Sequence, residues 1–375
     1  MNPRSAYVHV PFCRHRCGYC NFTLITGRDD LIESYLAAIE RELSWIDGRP
    51  EIDSLFFGGG TPTHMPVPQL RRLTEIVWGK FSPTDDCEFS VEANPVELTR
   101  EVVEALFYAG VTRISLGAQS FDTDKLKLLE RDHTASDIET AMRLAYKCAS
   151  SVSIDLVFGA PGESINSWQH DLTRVIELSP DHISIYGLTF EKGTSFWNQL
   201  NAGKLRQVDE RVELAMYEMA IDQLTAAGYE HYEVSNFAKP GHRSRHNETY
   251  WLGKSYYAVG PGAASFVGGV RSTNHRSTVT YLKRILAGES PVAETEKLGS
   301  EDAARERLVF GLRRLEGLDA TQFVKATGYS IQQLGGEDLS TLTDQGLLQW
   351  HGETIKLTRS GLMVSDSIWP CLLRC

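Results

Sequence analysis

"AYVHVPFCRHRCGYCNF", residues 6–22, sets cysteines at positions 13, 17 and 20 directly behind a short apolar, β-branched run. The run at 6–10 reads as a buried strand. Pro11 and Gly18 argue against a regular helix and place the cysteines on a loop at the strand's carboxyl end. Four readings compete for the thiols. Spacings of four and three share one helix face, which would give a row of buried small side chains. A zinc ion wants four ligands, so His9 or His15 would have to complete a set. A disulfide strands the third cysteine. An iron–sulfur cluster on three thiolates leaves one iron open to a ligand.

Outward from this stretch the chain alternates. Apolar runs read as strands at 6–10, 54–57, 88–95, 111–121, 152–163 and 182–190. Helical spacing fills 31–46, 68–81, 100–110, 135–148 and 167–178, with Asp29 and Asp30 expected to cap the first of these and Gly110 to stop the third. Strands alternating with helices predict parallel βαβ units and right-handed crossovers, which curl into a partial (β/α)6 TIM-like barrel. Chemistry in such barrels gathers at the strands' carboxyl ends. Those ends carry the three cysteines, Gly58–Gly60, Glu92, Gln119, Asp155 and Tyr186. The glycines are expected to let backbone approach a ligand and to offer N–H groups to a carboxylate. Glu92 is expected to meet a ligand's ammonium.

Composition sets outer limits. The chain has 375 residues, 42% hydrophobic, enough for one large domain and a smaller one. Its charge, 38 − 49 = −11, argues against nucleic acid as a partner. No apolar run approaches a membrane span, and the N-terminus lacks a signal-peptide pattern, so a reducing cytoplasm is expected. There, seven cysteines are thiols or ligands before they are disulfides. Cys87 and Cys148 read as buried thiols, and Cys371 and Cys375 receive no ligand role.

The Cys13-x-x-x-Cys17-x-x-Cys20 spacing, with aromatic Tyr19 before the last cysteine, resembles the radical S-adenosylmethionine family. With "FFGGGTPT" (56–63), "EANP" (92–95), "GAQSF" (117–121) and "RHNETYW" (245–251), nearly the whole chain resembles the branch related to oxygen-independent coproporphyrinogen III oxidase, on its heme-chaperone side. The resemblance implies a [4Fe–4S] cluster on Cys13, Cys17 and Cys20, whose open iron chelates the amino and carboxylate groups of S-adenosylmethionine. It also implies cofactor contacts from Tyr7, Tyr19, Gly59, Gly60, Thr61, Glu92, Gln119, Arg131 and Asp155. The oxidase branch has a further cysteine two residues after the third. This chain has Asn21 and Phe22 there, where the chaperone branch commonly has Asp-Phe, and its first strand begins by residue 6 without the oxidase's N-terminal extension.

A second constellation, "KPGHRSRHNETYW" (239–251), gathers His242, Arg243, Arg245 and His246 beside Tyr250 and Trp251. Imidazole, guanidinium and aromatic groups suit the iron, propionates and flat face of heme. The H-N-x-x-Y-W pattern resembles the chaperone branch's heme motif, which implies His246 as first candidate ligand and His242 as second. After about residue 290, an amphipathic helix (300–315), two short helices and a hairpin (348–358) read as a winged-helix-like module, a lid or partner surface rather than a nucleic-acid reader.

The expected domains are a barrel core over 1–235, a connecting segment with the heme motif over 236–290, and a mainly helical module over 291–375. The expected function is heme binding and delivery to an acceptor protein, membrane-associated acceptors included, with a homodimer compatible. The alternatives are anaerobic coproporphyrinogen III oxidation, or redox sensing by the cluster alone.

Overall fold

The computed structural model describes residues 2–374, so Cys375 lies outside it. Its center is a barrel of alternating strands and helices, with two helices between the fourth and fifth strands. β1 (Ser5–Val10), α1 (Ile32–Ser44), β2 (Glu51–Gly59), α2 (Val67–Lys80), β3 (Ser82–Ala93) and α3 (Arg100–Tyr108) form the first half. β4 (Arg113–Gln119), α4 (Thr123–Leu128), α5 (Ala135–Ala145), β5 (Ser151–Phe158), α6 (Ile165–Leu178) and β6 (His182–Gly187) form the second. β1 to β6 lie in sequence order, every neighboring pair parallel. That is the expected partial barrel.

Local chemistry explains most boundaries. Thr134 and Asp137 form a reciprocal capping box at the start of α5. Gly110, at φ +81°, ends α3 as expected. Asp29 and Asp30 do not cap α1: they sit in a 3₁₀ turn with no capping bond. Asp30 is held by Arg28, and Asp29 faces His64. The helices pack their apolar faces over the strands, so Val8, Leu55, Val91, Ile114, Ile154 and Ile183 are fully buried.

The sheet continues past six strands. After α7 (Ser195–Asn201) and α8 (Glu210–Ala226) comes the hairpin of β7 (Glu230–Glu233) and β8 (Asn236–Ala238), with β8 antiparallel to β6. The expected boundary at 235 therefore falls inside a hairpin. α9 (Arg245–Trp251) follows, and β9 (Tyr257–Val259) then pairs parallel with β1 at the other edge, making nine strands. The first part of segment 236–290, through β9, is thus built into the barrel rather than connecting it to the next domain.

α9 sits at the amino ends of the barrel strands. Ser5 of β1 and Thr249 pair at 2.9 Å, and the Glu88 carboxylate of β3 accepts the backbone N–H groups of Arg245 and His246. The Arg113 guanidinium at the start of β4 donates to the carbonyls of His242 and Arg243. Each contact joins a buried polar group to a partner, which keeps a polar layer at this depth tolerable.

Beyond the barrel, β10 (Ala264–Val267), β11 (Val270–Asn274) and β12 (Val292–Lys297) make a three-stranded antiparallel sheet, with α10 (Thr278–Ala287) packed on α1. The C-terminal module runs α11 (Ser300–Leu312), β13 (Leu318–Asp319), α12 (Ala320–Thr327), α13 (Ile331–Asp344), β14 (Leu348–His351) and β15 (Thr354–Leu357). Its strands order as β13-β15-β14, a winged-helix-like arrangement, closed by α14 (Arg359–Met363) and α15 (Ser365–Leu373). Among the described residues no helix is long and apolar enough to cross a membrane. Cys87 and Cys148 are only half-buried, a departure from the buried thiols expected.

Candidate functional site

The carboxyl ends of β1 to β6 converge on one cavity of about 530 Å³. Every strand end contributes: Cys13, Cys17 and Cys20 after β1, Gly59–Thr61, Glu92, Gln119, Asp155 and Tyr186. The cysteine loop is pinned at its base, where Cys13 N–H donates to the Ile25 carbonyl at 3.1 Å and Ile25 N–H to the Pro11 carbonyl at 2.8 Å. At its tip Phe196 N–H donates to the Gly18 carbonyl, and the Tyr19 and Phe196 rings meet edge to face. The loop is therefore not helical. Cys20 N–H donates to the Cys17 carbonyl, one turn that draws the last two cysteines together.

Among the described residues no group of three His, Cys, Asp or Glu side chains is placed to hold a single metal ion. A zinc site needs that convergence. Three thiolates on a cubane each meet a different iron, so a cluster does not require that single point of convergence. The polar groups around them fit it as well. The Arg131 guanidinium lies 3.6 Å from the Cys17 sulfur, and its Nε is buried without a partner. Burial pushes the Cys17 thiol up, against the pull of Arg131, and burial also raises Cys20. An iron bound by these cysteines would offset this by holding the thiolate form.

Deeper in the cavity stand two carboxyls. Burial lifts Glu92 to about 7, helped by the negative charge of Asp155, while the Gly59 N–H donated at 2.9 Å pulls it back. Burial raises Asp155 too, opposed by serine hydroxyls, with Ser115 donating at 2.9 Å. A buried carboxyl pair in a cavity is a place for a cation.

Gln119 carries a left-handed backbone, φ 65°, where the β4–β5 register slips. Strain of this kind costs about 1–3 kcal/mol and here turns the side chain into the cavity. Arg131 is buried, not a solvated charge: it donates to the Gly117 carbonyl at 2.8 Å and to Asn94. Sequence reasoning missed Asn94, Ser115, Leu188 and Glu191, which also line the cavity. Asn94 was readable, since it stands in "EANP" beside Glu92.

The glycine run differs from expectation. Its N–H groups are not exposed: Gly59 donates to Glu92, Gly60 to the Val10 carbonyl and Thr61 to the Phe12 carbonyl. Gly59, at φ +108°, lies so close to the His9 ring that a Cβ would stand 2.3 Å from it. Close packing against β1 and positive φ fix this glycine. Tyr7 is also apart from the cavity. It bonds His9 Nδ1 at 3.0 Å and lines a smaller adjoining cavity with Phe22 and Tyr250.

The second constellation is a strut. His246 is fully buried, its Nδ1 on Ser54 Oγ at 3.0 Å and its Nε2 on Tyr250 Oη at 2.9 Å. Neither ring nitrogen is open to a ligand in this conformation, which departs from the reading of His246 as heme ligand. Burial lowers its pKa to about 3, so the imidazole is neutral. Nor is there a free basic pocket: Arg243 pairs with Glu230, Glu248 and Glu316, and Arg245 with Asp86. His242 is partly exposed, its Nδ1 near Ser151 Oγ at 3.2 Å.

Sequence and structure comparisons agree with this geometry. The sequence model of the Radical SAM superfamily matches residues 7–175, and that of the HemN C-terminal domain matches 298–364. The Heme chaperone HemW of Bacillus subtilis is 33% identical over 375 residues, 99% of each chain. The chain belongs to the radical SAM superfamily, in its HemW family. A mitochondrial relative from Danio rerio, Radical S-adenosyl methionine domain-containing protein 1, is 33% identical over 98% of this chain and 86% of its own. The solved structure of coproporphyrinogen III oxidase (HemN) from Escherichia coli superposes with a TM-score of 0.87 at 25% identity, over 99% of this chain and 90% of that one.

Proposed function

We propose that the protein is a heme chaperone: it holds a [4Fe–4S] cluster on Cys13, Cys17 and Cys20, binds S-adenosylmethionine in the barrel cavity, and passes heme to an acceptor protein. Full-length similarity to proteins named heme chaperones supports the heme role. The observation that favors a chaperone over the oxidase is Phe22. It stands two residues after Cys20, at the rim of the cavity and 67% exposed, where the oxidase branch has a cysteine.

When bound, the cluster supplies an open iron to the amino and carboxylate groups of S-adenosylmethionine. The chain's own part is placement. Glu92 and Asp155 meet positive charge, Gln119 and Arg131 supply donors on the facing wall, and the apolar side of the cavity at Val157 and Leu188 excludes water. Gly59, Gly60, Thr61 and Tyr19 shape the wall, and Tyr7 braces it from behind through His9. The six described cysteines are free thiols, in keeping with a cytoplasmic protein.

The test is anaerobic reconstitution with iron and sulfide, then heme titration and a product assay with coproporphyrinogen III, cofactor and reductant. The chaperone reading expects about four iron per chain, saturable heme binding and no protoporphyrinogen. Robust conversion of coproporphyrinogen III would make the protein an oxidase.

A further inference from the structure

A second cavity of about 440 Å³ opens away from the cluster, between α9, the β10–β11 hairpin and α11. Its size lies within the range of small-molecule sites. Tyr250, Tyr256, Phe266 and Phe310 give it aromatic walls, and Ala303, Ala304 and Gly253 leave it room. The Tyr250 and Tyr256 rings stand edge to face at 4.7 Å. Three cations share the wall: Arg271, Lys254 and Arg307. Arg271 is engaged by Glu296 and Glu306, whereas Lys254 and Arg307 enter no ion pair among the described residues.

The two tyrosine hydroxyls have different polar neighbors. Tyr250 turns its hydroxyl onto His246 at 2.9 Å. Tyr256 has the Arg271 guanidinium and the Glu306 carboxylate as its charged neighbors, both on this cavity's wall. Burial raises the Tyr256 phenol, and the Arg271 guanidinium beside it acts in the opposite direction, favoring phenolate. An aromatic-walled cavity with one phenol near a guanidinium and two unpaired cations matches a flat apolar macrocycle that carries an oxophilic metal and two carboxylates.

We propose that this cavity, rather than the His246 imidazole, is the heme site, with Tyr256 as the ligand to ferric iron and Lys254 and Arg307 on the propionates. The inference rests on the heme-binding reading above and assigns its site. Phenolate is an established iron ligand in heme proteins. On binding ferric heme the Tyr256 Oη–iron bond forms, the chloride or water on the iron leaves, and the phenol proton passes to solvent. The iron stays ferric and no reductant is needed. Guanidinium and ammonium groups then meet the carboxylates as charge-assisted pairs.

The experiment titrates hemin into the full-length chain and follows absorption and resonance Raman spectra. Wild type should show phenolate–iron modes. Tyr256→Phe should lose them and weaken binding by about tenfold or more. Tyr256→His should keep heme while changing the ligand signature from phenolate to imidazole. Ala303→Trp, at an exposed position on the cavity wall, should block hemin yet leave cluster reconstitution unchanged, which separates occupancy from misfolding. Unchanged affinity and spectra in both Tyr256→Phe and Ala303→Trp would overturn the site while heme binding stands. A wild-type chain that takes up no hemin would overturn the chaperone reading, and this site with it.

Discussion

Replacing His246 by alanine separates a strut from an iron ligand. The imidazole is fully buried, bonded to Ser54 at 3.0 Å and Tyr250 at 2.9 Å, and its ring lies 5.1 Å from that of Phe56. Truncation leaves two hydroxyls without partners, each costing about 1–3 kcal/mol, and opens a space where the ring stood. The expected loss is about 3–5 kcal/mol, on the order of 4–6 °C in melting temperature for a chain of this length. Thermal unfolding of the apo chain reads this directly. A double-mutant cycle with Ser54→Ala should return a coupling of about 1–2 kcal/mol. A melting temperature within about 1 °C of wild type, together with lost hemin binding, would refute the strut and return His246 to the iron.

Cys17→Ala should abolish the visible absorption of the reconstituted cluster; a variant with full iron and sulfide content would place the cluster elsewhere. Gly59→Ala forces a Cβ to 2.3 Å from the His9 ring at φ +108°, so it should destabilize the chain by more than about 2 kcal/mol, as read by denaturant unfolding. Glu42 is buried, bonded to Tyr281, Asn274 and Gly260 N–H, and burial lifts it to about 7 from an ordinary 4.5. Its protonated form stabilizes the fold fully below pH 4.5, and that contribution is lost as pH rises through about 7. Glu42→Gln should therefore gain on wild type by about 2–3 kcal/mol between pH 5.5 and 8.5, and a difference flat in pH would mean the carboxylate is already ionized.

The barrel was legible because its signals are local. Each parallel strand is a short apolar run, each helix an amphipathic one, and the cavity follows from parallel topology, which brings all six strand ends to one side. Single residues inside the barrel were less legible. "GGG" reads as open backbone, yet its partners, His9, Val10 and Phe12, come from a strand some fifty residues earlier. "KPGHRSRHNETYW" reads as a basic pocket with free cations because carboxylates that occupy them, Glu316 on Arg243 and Asp86 on Arg245, lie far away in sequence. The burial of Arg131 was hidden for the same reason: its partners are Asn94, Gly117 and Cys17. Chemistry-bearing residue types survive in a one-dimensional reading, whereas the partners that silence them do not.

The placement of α9 and β9 bears on how the chain is made. Ser5 waits for Thr249, 244 residues downstream, and one edge of β1 stays unpaired until β9 arrives. At a synthesis rate of about 5–20 residues per second, that interval lasts about 12–50 s. Throughout it the nascent barrel carries a naked strand edge and an open polar floor, with Glu88 and Arg113 lacking the backbone groups they will hold. An uncovered edge invites pairing with other chains. The same long-range closure that seals the finished barrel thus makes its birth slow and exposed, so yield in the cell should depend on translation speed and on whatever shields β1 until residue 259 has emerged.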